Sequence, residues 1–165
     1  MTNIQASRYI YENAETEYQR YYFDDTTGGF ILIHIEHKTT ASEIFIARTF
    51  AQEGKQVKLL SENSQTKTPD AEIDGELWEF KELKNADNVR GATQQDMRKG
   101  KKQAKNIAYY INQECELIDI NEGIKSAIRL DTKRLLLKVS LIFNDNLTLT
   151  LTRTEIENGA SFEEF

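Results

Sequence analysis

One cysteine, one proline and two methionines are all that the 165-residue chain holds of those residue types, and each scarcity excludes something. Cys115 alone forbids an internal disulfide and an all-cysteine zinc site. With no internal repeat and no Gly/Ser/Pro-rich linker, nothing signals a boundary within the chain. No apolar run approaches the roughly 18–20 residues that span a bilayer, and Phe30–Ile33 is strand-sized. The N-terminus, Met1-Thr2-Asn3-Ile4-Gln5, has neither the basic nor the apolar region of a secretory signal. That reads as a cytoplasmic site of action with no membrane partner. Basic residues are not in excess either: 21 stand against 27 acids, a net charge of −6, which argues against a surface built throughout to grip nucleic acid. What remains, 39% hydrophobic and 29% charged, is the composition of an ordered globular chain.

Residues 1–27 are polar and Tyr-rich, read as an N-terminal extension with a helix over Ala6–Tyr22, and 28–165 as the body of a single domain. Gly28-Gly29 precede Phe30–Ile35, a β-branched run that predicts a strand. Thr40 followed by Glu43 has the spacing of a capping box. Ile44, Ala47, Phe50 and Ala51 recur at helical intervals, and Gly54 stands at the C-cap. Val57–Leu60 predicts a strand and Ser61–Thr68 a polar loop. Asp74-Gly75 signals a type I′ hairpin between Ala71–Ile73 and Glu76–Lys81. An amphipathic stretch from Thr93 to Gln113 predicts a long helix. Met97, Ala104, Ile107, Ala108 and Ile111 lie on one side of it, and Arg98, Lys99, Lys101, Lys102 and Lys105 form a basic face suited to phosphates. A strand over Glu116–Ile120, a helix over Gly123–Leu130 and a strand pair, Leu135–Phe143 and Leu147–Thr152, complete the chain. The order β-α-β-β-β-α-β-α-β-β reads as α/β (α+β), a central mixed β-sheet flanked by helices.

The hairpin is where chemistry concentrates. Counting back from the turn pairs Ala71 with Trp78 and predicts Asp70 opposite Glu79. Side chains alternate along a strand, so Lys81 shares the Glu79 face while Trp78 and Phe80 take the other. Two carboxylates directly opposite repel, and a divalent cation relieves that repulsion, with Lys81 near enough to orient a water or steady a developing charge. Glu43 is a further candidate ligand, although its capping role already accounts for it. His37, between a strand and a capped helix, suits proton transfer. Gln103 lies among the basic residues, where it suits orienting water or phosphate, and Arg153 suits stabilising an anion.

Pro69-Asp70 followed by Glu79-Phe80-Lys81 resembles the signature of PD-(D/E)XK nucleases. That resemblance implies a restriction-endonuclease-like core, with Glu43 at the matching position of the preceding helix and Gln103 at that of the following one. A longer resemblance runs from Gly28-Gly29-Phe30 and His37 through Glu43, Gly54-Lys55-Gln56-Val57 and Thr68–Lys81 to Gly100-Lys101-Lys102-Gln103-Ala104. It is similar to the C-terminal tRNase domains of contact-dependent growth inhibition toxins and related polymorphic toxins. This implies a nuclease acting on RNA, tRNA first, with Mg²⁺ or another divalent cation and a cognate immunity protein. Some domains of that group have the barnase–EndoU–colicin–RelE fold and cut RNA without metal; for that chemistry Glu79 or His37 would be the base. A DNA endonuclease and a non-catalytic binding module on the same fold stay open, as does homodimerisation.

Overall fold

The structure, a computed structural model, describes residues 3–62 and 68–163; most of the expected Ser61–Thr68 loop lies outside them. The chain is of the α/β class, and the described residues form a mixed sheet of eight strands and five helices. It divides into two compact units, the first ending at Trp78 and the second beginning at Glu79.

In the first unit, α1 (Asn3–Glu12) and β1 (Tyr18–Phe23) occupy the residues expected as an extension. The helix over Ala6–Tyr22 is therefore corrected. It stops at Glu12, and the aromatic run Tyr18–Phe23 pairs antiparallel with β2 (Phe30–His34). Aromatic side chains, four of the six residues of this run, fit a pleated surface better than a helix. Tyr11 of α1 packs on Phe23 and Phe30, with ring centroids 5.3 and 5.5 Å apart. β2 runs parallel to β3 (Gln56–Leu59), with α2 (Ala41–Gln52) as the crossover. Phe30, Ile31, Leu32, Ile46, Ala47, Val57 and Leu59 are buried and form much of the unit's core. A Cβ on Gly29 would lie 1.7 Å from the Ala51 carbonyl oxygen, so only glycine lets the start of β2 pass the end of α2. β4 (Ala71–Ile73) pairs antiparallel with β3 and with the first residues of β5 (Glu76–Leu83) in the expected register: Ala71 with Trp78, Glu72 with Leu77, Ile73 with Glu76. Asp74 and Gly75 have φ 48° and 84°, the two positive values a type I′ turn requires.

The second unit holds the rest of β5, α3 (Val89–Gly100), β6 (Asn106–Ile111), α4 (Leu117–Leu130), β7 (Lys138–Phe143), β8 (Thr148–Thr152) and α5 (Arg153–Glu157). β6 and β7 are parallel, joined through α4, and β7 and β8 form a hairpin. The long helix over Thr93–Gln113 is a second correction. It starts earlier, ends at Gly100, and gives way to a strand in which all six residues are buried. Burial on both faces erases the alternation that identifies a strand, and a short apolar run then fits either period. A Cβ on Gly100 would stand 2.6 Å from Ile107 Cδ1, which shows how closely β6 folds back on the end of α3. The strand expected over Glu116–Ile120 is the first turn of α4, whose N-cap Glu116 makes no side-chain capping bond and so left no start signal. Met97, Ile107, Tyr109, Ile120, Ile124, Leu136 and Leu141 lie in this unit's core.

Candidate active site

In the second unit, Glu79 and Lys81 lie two residues apart on one face of β5. Glu79 is only 8% exposed, and Lys81 Nζ stands 3.8 Å from Glu79 Oε2. A Cβ built on Gly100 would come 3.7 Å from Glu79 Cγ, which puts the acid beside the end of α3. Gln103 follows in the turn after that helix, its N–H bonded to the Gly100 carbonyl. Its side-chain Oε1 is buried and has no hydrogen-bond partner among the described residues. An oxygen acceptor in that state calls for a donor or a cation.

Asp96 is a residue that sequence reasoning missed. It accepts a 2.7 Å bond from the hydroxyl of Tyr109, which is fully buried. Burial pushes its carboxyl above the ordinary carboxylate value, while the Tyr109 bond and the charges of Lys81 and Lys99 pull it back. The signal was an acid at helical spacing among Thr93, Met97 and Gly100, the buried positions of α3. Burial, with Asp96 adding to it, likewise raises the Tyr109 phenol and keeps it a hydrogen-bond donor.

In the first unit, Asp70 is half-buried immediately before β4, and its carbonyl accepts from the Leu60 N–H at 3.0 Å. The three expected central residues are thus shared between the two units: Asp70 in one, Glu79 and Lys81 in the other.

His37, expected as a proton carrier between a strand and a capped helix, has a fully buried side chain. Its Nδ1 donates to the Leu60 carbonyl at 2.6 Å, and its Nε2 meets Glu43 Oε2 at 2.7 Å. Glu62 Oε1 adds a second negative charge 3.5 Å from Nδ1. A neutral imidazole carries one proton, yet both nitrogens here face acceptors, so the geometry calls for the doubly protonated ring. Burial lowers the pKa of His37, but the bonds to Glu43 and Leu60 and the charges of Glu43 and Glu62 outweigh it and leave the pKa raised. Burial alone would raise the Glu43 carboxyl; its partners His37 and Thr40 bring it below its ordinary value. Glu43 is divided between two tasks. Oε1 accepts from the Thr40 N–H and hydroxyl to close the capping box, and Oε2 holds His37. Among the described residues, His37, Glu43 and Glu62 bring three ligand-type atoms within 4.8 Å of one another, but the two carboxylates approach different ring nitrogens.

The basic residues do not form one helix face, which corrects that expectation. Arg98 and Lys99 end α3 and are exposed, Lys101 and Lys102 lie in the turn beyond it, and Lys105 precedes β6. Lys101 Nζ is 3.4 Å from Asp131 Oδ1. Arg153 is buried as well, bonded through Nη1 to Asp131 Oδ2 at 2.7 Å.

Residues 67–147 match the family described as contact-dependent growth inhibition CdiA C-terminal domain. That segment, just under half of the chain, is similar to a CdiA C-terminal domain. The match begins at the edge of the Pro69-Asp70 motif, takes in the whole hairpin, α3 and α4, and ends at the threshold of β8. The fold of the chain is similar to that in a CdiA-CT/CdiI toxin and immunity complex from Burkholderia pseudomallei. The TM-score is 0.50 and the identity 22%, over 67% of this chain and 84% of that one. No curated protein matches the chain in sequence. Among the described residues, no helix is long and apolar enough to cross a membrane.

Proposed function

We propose that this chain is a toxin that cuts phosphodiester bonds in RNA, tRNA foremost, with the help of a divalent cation such as Mg²⁺. The observation that carries the reading is the buried Glu79 carboxylate with the Lys81 ammonium 3.8 Å away on the same strand face. Taking a carboxylate and an ammonium out of water is costly, and such pairs concentrate at functional sites. The strand that bears them leaves the Asp74-Gly75 turn, and Asp70 leads the other arm of that hairpin.

The donor set suits a hard cation. Carboxylate and amide oxygens are the ligands Mg²⁺ prefers, and the unmet Oε1 of Gln103 supplies an oxygen of that kind near the Glu79 end of α3. Glu79 would hold the ion, with Gln103 in support. When bound, the cation neutralises phosphate charge and makes water a stronger nucleophile. Lys81 orients that water and stabilises negative charge as it develops on the phosphate, a task that suits a half-buried ammonium. Asp96, fixed by its bond to Tyr109, adds a negative charge in the neighbourhood of Lys81. Arg98 and Lys99, exposed at the end of α3, contribute phosphate contacts. The toxin and immunity pairing in the Burkholderia pseudomallei structure supports a cognate immunity protein for this chain too. The RNA would be met in the cytoplasm.

Purified protein incubated with total tRNA, with Mg²⁺ in one sample and EDTA in another, tests the reading on a denaturing gel. Discrete fragments are expected with Mg²⁺ only, and Glu79→Gln and Lys81→Ala should each abolish them while the circular dichroism spectrum is unchanged. Fragments in both samples would replace the metal with Glu79 acting as base on the ribose 2′-hydroxyl. Intact tRNA together with cut DNA, or tight tRNA retention without any cut, would overturn the assignment in favour of a DNA endonuclease or a binding module.

A further inference from the structure

A cleft of about 620 Å³ opens in the second unit between the last turn of α4, the segment after it and α5. Four cationic side chains line it, Lys125, Arg129, Arg134 and Arg153, against two acids, Asp131 and Glu157. In a chain of net charge −6, that is a local reversal of sign.

Asp131 answers only one of the four cations, Arg153. Its carboxylate is 1% exposed and is consumed from inside the fold: Arg153 Nη1 donates to Oδ2 at 2.7 Å, the Leu136 N–H donates to the same oxygen at 2.8 Å, and Lys101 lies 3.4 Å from Oδ1. Glu157 is therefore the anion that faces the cleft, and Arg134 grips it with two bonds, 2.8 Å to Oε2 and 3.1 Å to Oε1. The Arg134 bond, with Arg153 adding to it, holds the Glu157 carboxyl below its ordinary value.

Arg153 supplies the second, independent observation. A guanidinium has five N–H donors. Four of them are spent on Asp131 Oδ2, the Leu136 carbonyl, the Ile128 carbonyl and the Asp131 carbonyl, at 2.7–3.1 Å. The fifth, Nε–H, is buried in a side chain only 5% exposed and has no hydrogen-bond partner among the described residues. It faces Glu157, whose Oε2 lies 3.4 Å away, but the planar fork of that carboxylate is already committed to Arg134. At 3.4 Å that approach is long and meets the Nε–H only poorly. A tetrahedral oxyanion carries further oxygens, and two arginines with a lysine close by are the usual recognition set for one.

We propose that this cleft binds a phosphate group, and that Glu157 is an internal carboxylate which the phosphate displaces. Glu157 and Arg134 are both well exposed, so their pair exchanges readily with water, whereas Arg153 is fixed and keeps its Nε–H aimed at the incoming oxygen. Lys125 and Arg129, each bonded to a neutral hydroxyl (Ser161 and Ser126), can turn toward it. The phosphate comes either from a polynucleotide backbone or from a free phosphate or nucleotide; the chemistry of recognition is the same.

The test is an NMR and calorimetric titration with inorganic phosphate and, separately, with a short 2′-O-methyl RNA that no ribonuclease using the 2′-hydroxyl can cut. Both readouts are binding alone, so they stand or fall apart from the nuclease assignment. Glu157→Gln should tighten phosphate about threefold by removing the competing charge, and Arg129→Ala and Lys125→Ala should each weaken it by about as much. Resonance shifts should centre on residues 125–157. RNA binding that depends on Arg129 and far exceeds phosphate binding identifies the backbone as the source; equal affinities identify free phosphate. Phosphate that binds no tighter to Glu157→Gln than to the parent, or shifts that fall elsewhere in the chain, would overturn the proposal. Arg129→Ala alters a solvent-exposed side chain, so it keeps the test valid should the Glu157 variant lose stability.

Discussion

Replacing Glu43 by Gln changes one oxygen to an amide nitrogen, yet its cost should depend steeply on pH. In the parent, Oε2 of Glu43 faces a doubly protonated His37 at 2.7 Å, and the imidazole is buried. Severing a buried ion pair from one side costs about 3–5 kcal/mol, and the exposure of Glu43 places this pair at or below the lower end, about 2–3 kcal/mol. That loss is confined to the pH range in which His37 is charged. His37 has a folded pKa above its ordinary 6.5, so its stabilisation is complete below about 6.5 and is lost as pH rises through the folded value. Glu43 has a folded pKa below its ordinary 4.5, so its contribution is present above that value and is lost as pH falls through the depressed one. The parent should be most stable between these limits. Above them its stability should fall with a slope no steeper than about 1.4 kcal/mol per pH unit, the limit for one proton. In Glu43→Gln a neutral His37 can keep Nδ1–H on Leu60 and accept the Gln amide at Nε2, so above the transition the variant should come within about 1 kcal/mol of the parent. Trp78, the one tryptophan, packs on Phe50 with ring centroids 5.3 Å apart and reports unfolding of this unit by fluorescence in urea. A difference between parent and variant that stays constant from pH 6 to pH 9 would refute the charged His37.

Asp131 is held well below the usual carboxylate range, at about 2, because the Leu136 N–H, Arg153 and Lys101 outweigh its burial. Its contribution should be present above pH 3.8 and fade as pH falls toward 2. At neutral pH, Asp131→Asn should cost about 3 kcal/mol by leaving Arg153 charged and buried; a loss under 1 kcal/mol in denaturant melts would contradict that. Gly123 lies where α4 meets α3, and a Cβ there would come 2.7 Å from both the Arg90 carbonyl oxygen and Thr93 Cβ. Gly123→Ala should therefore cost about 1–3 kcal/mol despite alanine's better helix propensity, measurable as a lower thermal midpoint. Tyr109→Phe removes the donor to Asp96 at one hydroxyl's expense and should cost about 1–3 kcal/mol, with unchanged stability counting against the buried bond.

From Gly28 to β8 the sequence reading and the structure agree on the alternation of element types, but β6 lies inside the expected long helix and the strand expected after it is helical. Signals local to a few residues were legible: Thr40 with Glu43, Asp74 with Gly75, and the burial of Phe30–Ile33. What misled was β6, whose Ile107, Ala108 and Ile111 happen to repeat at helical intervals while every residue of the strand is buried. Periodicity reports a difference between faces, and a strand with two buried faces has none to report. α5 was missed for a different reason. Its capping box, Thr152 with Glu155, was present in the sequence, but only five helical residues follow it. In the candidate site, Glu79 and Lys81 could be found because strand alternation fixes their common face. Asp96 could not, because its partner Tyr109 lies on a strand that the pattern had assigned to a helix. The buried state of His37 was equally invisible, since it depends on Leu60 and Glu62, distant along the chain.

The two-residue turn at Asp74-Gly75 acts as a parity counter for everything that follows it on β5. Adding or deleting one residue there exchanges the strand's two faces, sending Trp78 and Phe80 to where Glu79 and Lys81 now point. Adding two restores them. A Cβ on Gly75 would meet nothing within 4 Å, so the tip has room to grow. Relatives, or laboratory insertions carrying a fluorophore, should therefore vary at this tip in even steps, with odd-length changes absent from any functional set.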